Sequence, residues 1–288
     1  PSPWGMGFPG WHIECSAMSE KYLGKKFDIH GGGMDLAATH HTNEIAQSEA
    51  CYNVSPANYW IHTNMLTVNG ARMSKSAGNG FLPEQLFTGN HPLLEKAYSP
   101  MTVRFFMLQT HYRSTLDFSN EALQAAEKGL KRLWEAYRNL GHLQQARFPD
   151  IAADSETDGR CLALIAALDI SMNDDFNTAK VLANIFELVP LINGLKGGQL
   201  PPDSISRSTF ELLQRQLTTY LTDILGLKED KGADGGQLDK VLQLLIQIRK
   251  EAKSRKDFAT SDKIRNELQQ QGIILKDEKD GNTSWSLI

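Results

Sequence analysis

Two patterns of hydrophobic and polar positions divide the chain. From Pro1 to about Asn90, short apolar runs such as Trp60-Ile61 and Met65-Leu66-Thr67-Val68 sit between turn formers, in text rich in Gly, His and aromatic residues. That pattern predicts mixed α/β structure. From Ser119 onward the period changes. Ala122, Leu123, Ala126, Leu130, Leu133, Trp134 and Tyr137 recur at helical spacing with charges between them, which predicts a long amphipathic helix. The same period returns in Leu162 to Asp169, Ala179 to Leu195, Phe210 to Leu225 and Leu238 to Ile248, with polar breaks between, so a helical bundle is expected. Lys228 to Gln237 is charged and glycine-rich and reads as a flexible linker. Beyond it, a helix over Ala259 to Gln271 stops at Gly272. Ile273-Ile274-Leu275 and Ser284-Trp285-Ser286-Leu287 then read as two strands around the turn Lys279-Asp280-Gly281-Asn282.

Composition narrows the class. A chain of 288 residues holds more than one domain, and 41% hydrophobic with 22% charged residues is ordinary for a folded soluble protein. The net charge of −4 gives no global attraction to nucleic acid, so any such binding must come from local basic patches. Cys15, Cys51 and Cys161 are odd in number and far apart, which points to a reducing compartment and a cytoplasmic location. No apolar run approaches the roughly 18 residues of a membrane span, and the opening PSPWGMGFPG has no signal-peptide character. That opening begins on Pro1 and reads as a loop cut from the middle of a domain.

Three sets of residues can carry chemistry. Cys15, His40 and Glu44 offer a thiolate, an imidazole and a carboxylate, all acceptable zinc ligands, and His40 and Glu44 share one face if they lie on a helix. His41 and His30 lie close enough that spacing alone does not choose among them, and a lone Cys is more often a small buried hydrophobe. His30-Gly31-Gly32-Gly33 followed by Asp35 lets backbone approach a ligand, although a strand-to-helix turn needs no more than this. Arg72-Met73-Ser74-Lys75-Ser76-Ala77-Gly78-Asn79 is a loop of cations, hydroxyls and glycine suited to phosphate oxygens.

Read together and in order, these blocks resemble the cysteinyl-tRNA synthetases, a family of class I aminoacyl-tRNA synthetases. Trp11-His12-Ile13-Glu14-Cys15-Ser16-Ala17-Met18, Phe27 to Gly33, His40 to Ser48, the KMSKS-like loop, Tyr112-Arg113-Ser114 and Asp117-Phe118-Ser119 carry the resemblance. Lys256-Asp257-Phe258-Ala259-Thr260-Ser261-Asp262 with Ile264-Arg265 is similar to the family's anticodon-binding end. The resemblance implies α/β plus all-α architecture, with a partial Rossmann-like catalytic domain, a helical-bundle anticodon-binding domain and a small α+β C-terminal unit. Residues 1–60 would carry the catalytic part with the zinc ligands, 61–118 the KMSKS loop and stem-contact junction, 119–228 the bundle and 238–288 the final unit.

The same resemblance implies zinc on Cys15, His40 and Glu44, with a fourth ligand absent. In the family that ligand is an upstream cysteine near the HIGH motif, and neither occurs here, so the chain is expected to be a carboxy-terminal portion without activity on its own. Ala38-Thr39 and Thr42 depart from the family around the histidine pair, and Arg72 replaces the first lysine of KMSKS with its charge kept. Implied roles are charge stabilisation by Lys75 as adenylate forms, and phosphate contacts from Arg72, Ser74, Lys75, Ser76, Gly31, Gly32 and Gly33. Trp11, His30 and Asp35 would line the amino-acid and adenylate pocket. Arg249, Lys250, Lys253, Arg255 and Lys256 would meet tRNA, and Trp285 either packs or stacks on a base. Partners would be tRNA for cysteine, cysteine, and ATP with magnesium, with a monomer favoured. The competing readings are a ligase joining cysteine to a small amine, and a tRNA-binding module without catalysis.

Overall fold

A computed structural model describes residues 1–74, 76–230, 235–255, 257–277 and 283–287. They fall into two compact units, Pro1–Lys228 and Glu229–Ile288.

The first unit opens with helix α1 (Trp11–Leu23), strand β1 (Phe27–Gly33), helix α2 (Thr42–Tyr52) and strand β2 (Ala57–Thr63). β1 and β2 pair in parallel from Phe27↔Ala57 to Gly33↔Thr63, and α2 is the crossover that a parallel pair requires. Between β1 and α2 the chain makes a 3₁₀ turn, Met34–Leu36, and a π-helical turn, Ala37–His41. The glycines expected to form a strand-to-helix turn are themselves strand: Gly31, Gly32 and Gly33 stand opposite Ile61, His62 and Thr63. None of the residues of α1 is buried, and Trp4, Phe8, Trp11, Ile29 and Tyr59 are exposed. What this βαβ segment does bury is mostly polar: His40, His41, Glu44 and Ser48.

Next comes a small sheet. Strands β3 (Leu66–Val68) and β4 (Ala71–Arg72) form a hairpin whose turn residues, Asn69 and Gly70, both have positive φ, as a two-residue turn that matches strand twist requires. Helix α3 (Pro83–Thr88) and helix α4 (Pro100–Leu108) follow, and then strand β5 (Leu116–Phe118) pairs in parallel with β3. Asp117 ties this sheet together, because its Oδ1 accepts from Thr67 Oγ1 at 2.6 Å and from the Gly70 N–H at 2.8 Å.

Ser119 then caps helix α5 (Asn120–His142) by accepting the Ala122 N–H. Its buried face takes Leu123, Ala126, Leu130, Leu133 and Trp134 from the stripe expected from the period and adds Ala136 and Leu140, while Ala122 and Tyr137 are half-buried. Helices α6 (Ser155–Asn173), α7 (Thr178–Gly197) and α8 (Arg207–Thr218), the last continued by a π-helical turn Thr219–Ile224, complete the bundle. One hydrophobic cluster runs from Val68 and Phe118 through Phe105 and Phe106 of α4 to Leu227, so the core passes through the change of pattern at residue 118. Among the described residues α7 is the one helix long and apolar enough to cross a membrane, against the expectation that no segment is; its Val181, Leu182, Ile185, Leu188, Val189 and Ile192 are buried in the bundle.

The second unit contains helix α9 (Gly235–Ser254), helix α10 (Phe258–Gln270) and a hairpin of strands β6 (Ile273–Asp277) and β7 (Thr283–Leu287), paired from Ile273↔Leu287 to Asp277↔Thr283. Gly235 to Gln237, expected to belong to the linker, open α9 instead. The turn expected at Lys279 to Asn282 lies outside the described residues.

Candidate functional site

The polar interior of the βαβ segment is the first candidate centre. Cys15 projects from α1, His40 from the π-helical turn and Glu44 from the first turn of α2, with one ligand atom of each within 4.8 Å of the others. His30, His41 and Glu44 form a second such group around the same carboxylate. Glu44 Oε1 lies 2.8 Å from Nε2 of His40, and Oε2 lies 3.4 Å from Nε2 of His30. The i, i+4 relation puts His40 and Glu44 on one face, although the turn carrying His40 is wider than an α-helix.

Two histidines that sequence reasoning did not single out complete the cluster. Nδ1 of His12 lies 3.0 Å from Nδ1 of His40, and Nε2 of His62 lies 2.8 Å from Nδ1 of His41. His62 arrives through strand register beside Gly32, a relation no local spacing reveals. Gly32 makes room for this: a Cβ there would sit 2.7 Å from Cε1 of His41. A Cβ on Gly33 would meet Oδ1 of Asp35, an exposed side chain that can turn aside.

Burial sets the protonation of this cluster. It pushes the Glu44 carboxyl up to about 7. Burial first, and then the neighbouring imidazoles of His30, His62 and His40, bring His41 down to about 4. His30 is lowered for the same reason, by burial and then by His40 and His62. The Cys15 thiol is held above its ordinary range by burial, then by the Glu44 and Glu14 carboxylates. Glu44 Oε1 is buried and receives no hydrogen bond although His40 is at ion-pair distance. A buried, underused carboxylate oxygen beside a thiol and imidazoles is a donor set that suits a zinc ion.

The other residues expected at the pocket surround this cluster. The Trp11 ring packs on His40 with centroids 4.3 Å apart and remains 57% exposed, so it forms a wall of the cluster and is not a buried structural residue. His30 packs on Trp60 at 4.7 Å, and Asp35 is exposed.

The cationic loop leaves the β3–β4 hairpin. Arg72 and Ser76 are exposed, Ser74 is half-buried, and Ser74 Oγ lies 3.3 Å from Ser76 Oγ. Lys75 lies outside the described residues, as does Lys256. Of the basic run in α9 and beyond, Lys250, Lys253 and Arg255 are exposed, but Arg249 is buried. It falls three residues after Ile246 and seven after Leu242, on the apolar face of α9, which is why the expected surface contact with tRNA does not hold for it. Trp285 stands opposite Leu275 in the β6–β7 hairpin.

Residues 1–128 match the class I (C) catalytic domain of tRNA synthetases, and residues 169–229 match the DALR domain. The fold resembles that of the LeuRS of Agrobacterium radiobacter K84, solved in a ternary complex with tRNA and LeuAMS. The TM-score is 0.52 at 20% identity, over 69% of this chain and 26% of that one. The architecture and catalytic match are those of a class I tRNA synthetase. The cysteine–tRNA ligase of Parabacteroides distasonis is 50% identical over 293 residues, and that of Porphyromonas gingivalis 49% over 290, in each case across 100% of this chain. Across its whole length the chain is similar to cysteine–tRNA ligases. It spans 57% of the length of these relatives.

Proposed function

We propose that the whole protein is a cysteine–tRNA ligase, which activates cysteine with ATP as cysteinyl-adenylate and transfers it to tRNA for cysteine. The convergence of Cys15, His40 and Glu44 in the interior of a class I catalytic domain is the observation that carries this reading. These three residues would hold zinc, with His30 and His41 as the neighbouring alternative donors. Zinc, when bound, supplies a soft centre that takes a thiolate far better than a hydroxyl, which separates cysteine from serine.

The chain's own groups do the rest. Trp11 walls the amino-acid pocket beside His40, while His30 and Asp35 orient the amino acid or adenosine. The backbone of Gly31, Gly32 and Gly33 at the end of β1 would meet the phosphates of the nucleotide. Arg72, Ser74 and Ser76 bind phosphate oxygens of ATP, which enters with magnesium, and Lys75 stabilises the charge that develops on them, acting electrostatically and not as a base. The bundle with its DALR match and the second unit dock the tRNA, with Lys250, Lys253, Arg255 and Lys256 against its phosphates. The DALR match over residues 169–229 favours tRNA over a small amine as the acceptor. The protein works in the cytoplasm as a monomer. With α1 unburied and its apolar neighbours exposed, the 288 residues alone bind tRNA without turnover.

Aminoacylation by the full-length protein tests this. Charging of tRNA for cysteine with cysteine, and not with serine, is expected. Turnover of cysteine onto a small amine with no charging of tRNA would replace this reading with the other ligase.

A further inference from the structure

Asn79 is uncharged, yet both ends of its amide are committed to the backbone of the cationic loop. Its Nδ2–H donates to the carbonyl of Arg72 at 3.1 Å, and its Oδ1 accepts from the N–H of Ser74 at 2.9 Å. The carbonyl of one residue and the N–H two residues on open toward the same edge of an extended chain, where a neighbouring strand would bond. The amide therefore stands in for a strand partner and keeps the chain extended past the end of β4. Side chains alternate in extended backbone, so Arg72 and Ser74 share one face and Met73 takes the other. Met73 indeed packs against the hydrophobic core of the first unit, as does Phe81 on the far side of the loop.

The remaining geometry serves the same closure. Gly78 has φ of 63°, a conformation that favours glycine, and this turn returns the chain so that residue 79 faces residues 72 and 74. Ser74 Oγ accepts from the Ala77 N–H at 3.2 Å.

We propose that Asn79 is a positioning residue for adenylate formation. Its amide latches the loop between the Met73 and Phe81 anchors, so that Arg72 and Ser74 present their side chains outward together to the phosphates. This rests on the reading of the loop as phosphate-binding given under the proposed function.

The test uses the full-length protein with Asn79→Ala and Asn79→Asp. Asp keeps the acceptor for Ser74 and loses the donor to Arg72. The readouts are cysteine-dependent ATP–pyrophosphate exchange, thermal midpoint and amide hydrogen exchange over residues 72–77. In N79A, kcat is expected to fall on the order of a hundredfold, as for misplacement of a catalytic group by about 1 Å. The KM for cysteine and the midpoint stay at their wild-type values, and amide exchange in the loop accelerates. N79D falls at least as far as N79A, because its second carboxylate oxygen faces the Arg72 carbonyl and sets a negative charge beside the phosphates. A kcat in N79A within twofold of wild type, or unchanged loop exchange, would overturn the inference and leave the proposed function standing. A fall in midpoint accompanied by a raised KM for cysteine would also overturn it, as a folding effect. A wild-type protein without exchange activity would remove the reaction itself and overturn both.

Discussion

Gly32 and His41 are in contact so close that no side chain fits between them: a Cβ on Gly32 would lie 2.7 Å from Cε1 and 2.9 Å from Nε2 of the imidazole. His41 has nowhere to go, being 3% exposed and bonded to His62. Gly32→Ala is therefore expected to destabilise the chain by about 1–3 kcal/mol, as overpacking does, and to weaken metal binding. Gly31→Ala is the control, since a Cβ there meets only the Ile61 carbonyl at 3.6 Å. Thermal denaturation and zinc titration of both variants check this. Equal behaviour of the two would contradict the packing argument.

The three thiols should differ in reactivity. Cys161 is buried in α6, and burial, with a contribution from Asp158, pushes its thiol up to about 12, so it carries almost no thiolate at neutral pH. Cys51 is exposed. A thiol reagent near pH 8 should modify Cys51 first and reach Cys161 only on unfolding, and bound zinc should protect Cys15. Mass spectrometry of labelled peptides reads all three. Modification of Cys161 in the native chain would count against this core.

The basic run separates into two kinds of residue. Lys250→Ala, Lys253→Ala and Arg255→Ala should each weaken tRNA binding and reduce the slope of log affinity against log salt by about one. Arg249→Ala should leave that slope unchanged and lower the thermal midpoint, because Arg249 is buried on the face shared with Leu242 and Ile246. A reduced slope for Arg249→Ala with no loss of stability would reverse the assignment.

The parts of the fold legible in the sequence are those with one wet and one dry face. α5 alternates Leu123, Ala126, Leu130 and Leu133 with charges, so its period and its buried face both follow from residue order. α4 shows no clear amphipathic period in the sequence because its apolar residues lie on both faces: Val103, Phe105 and Phe106 are buried while Met107 is exposed. Gly31 to Gly33 read as a turn from intrinsic preference, but β2 supplies the ladder that makes them strand. At the candidate site, residue types pointed to Cys15, His40 and Glu44 but left His30 and His41 open, and the structure brings both sets around Glu44. His12 and His62 come from helix packing and strand register, which are tertiary facts, whereas the inward turn of Arg249 follows the phase of α9 set by Leu242 and Ile246.

The proposed selectivity for cysteine depends on zinc held by Cys15, His40 and Glu44 with a position left for the substrate thiolate. X-ray absorption at the zinc edge of the full-length protein tests this most directly. Addition of cysteine should add one sulfur neighbour at about 2.3 Å, and serine should add none. Cys15→Ala should remove one sulfur from the substrate-free spectrum. An unchanged sulfur count on adding cysteine, or a spectrum indifferent to Cys15→Ala, would contradict the account.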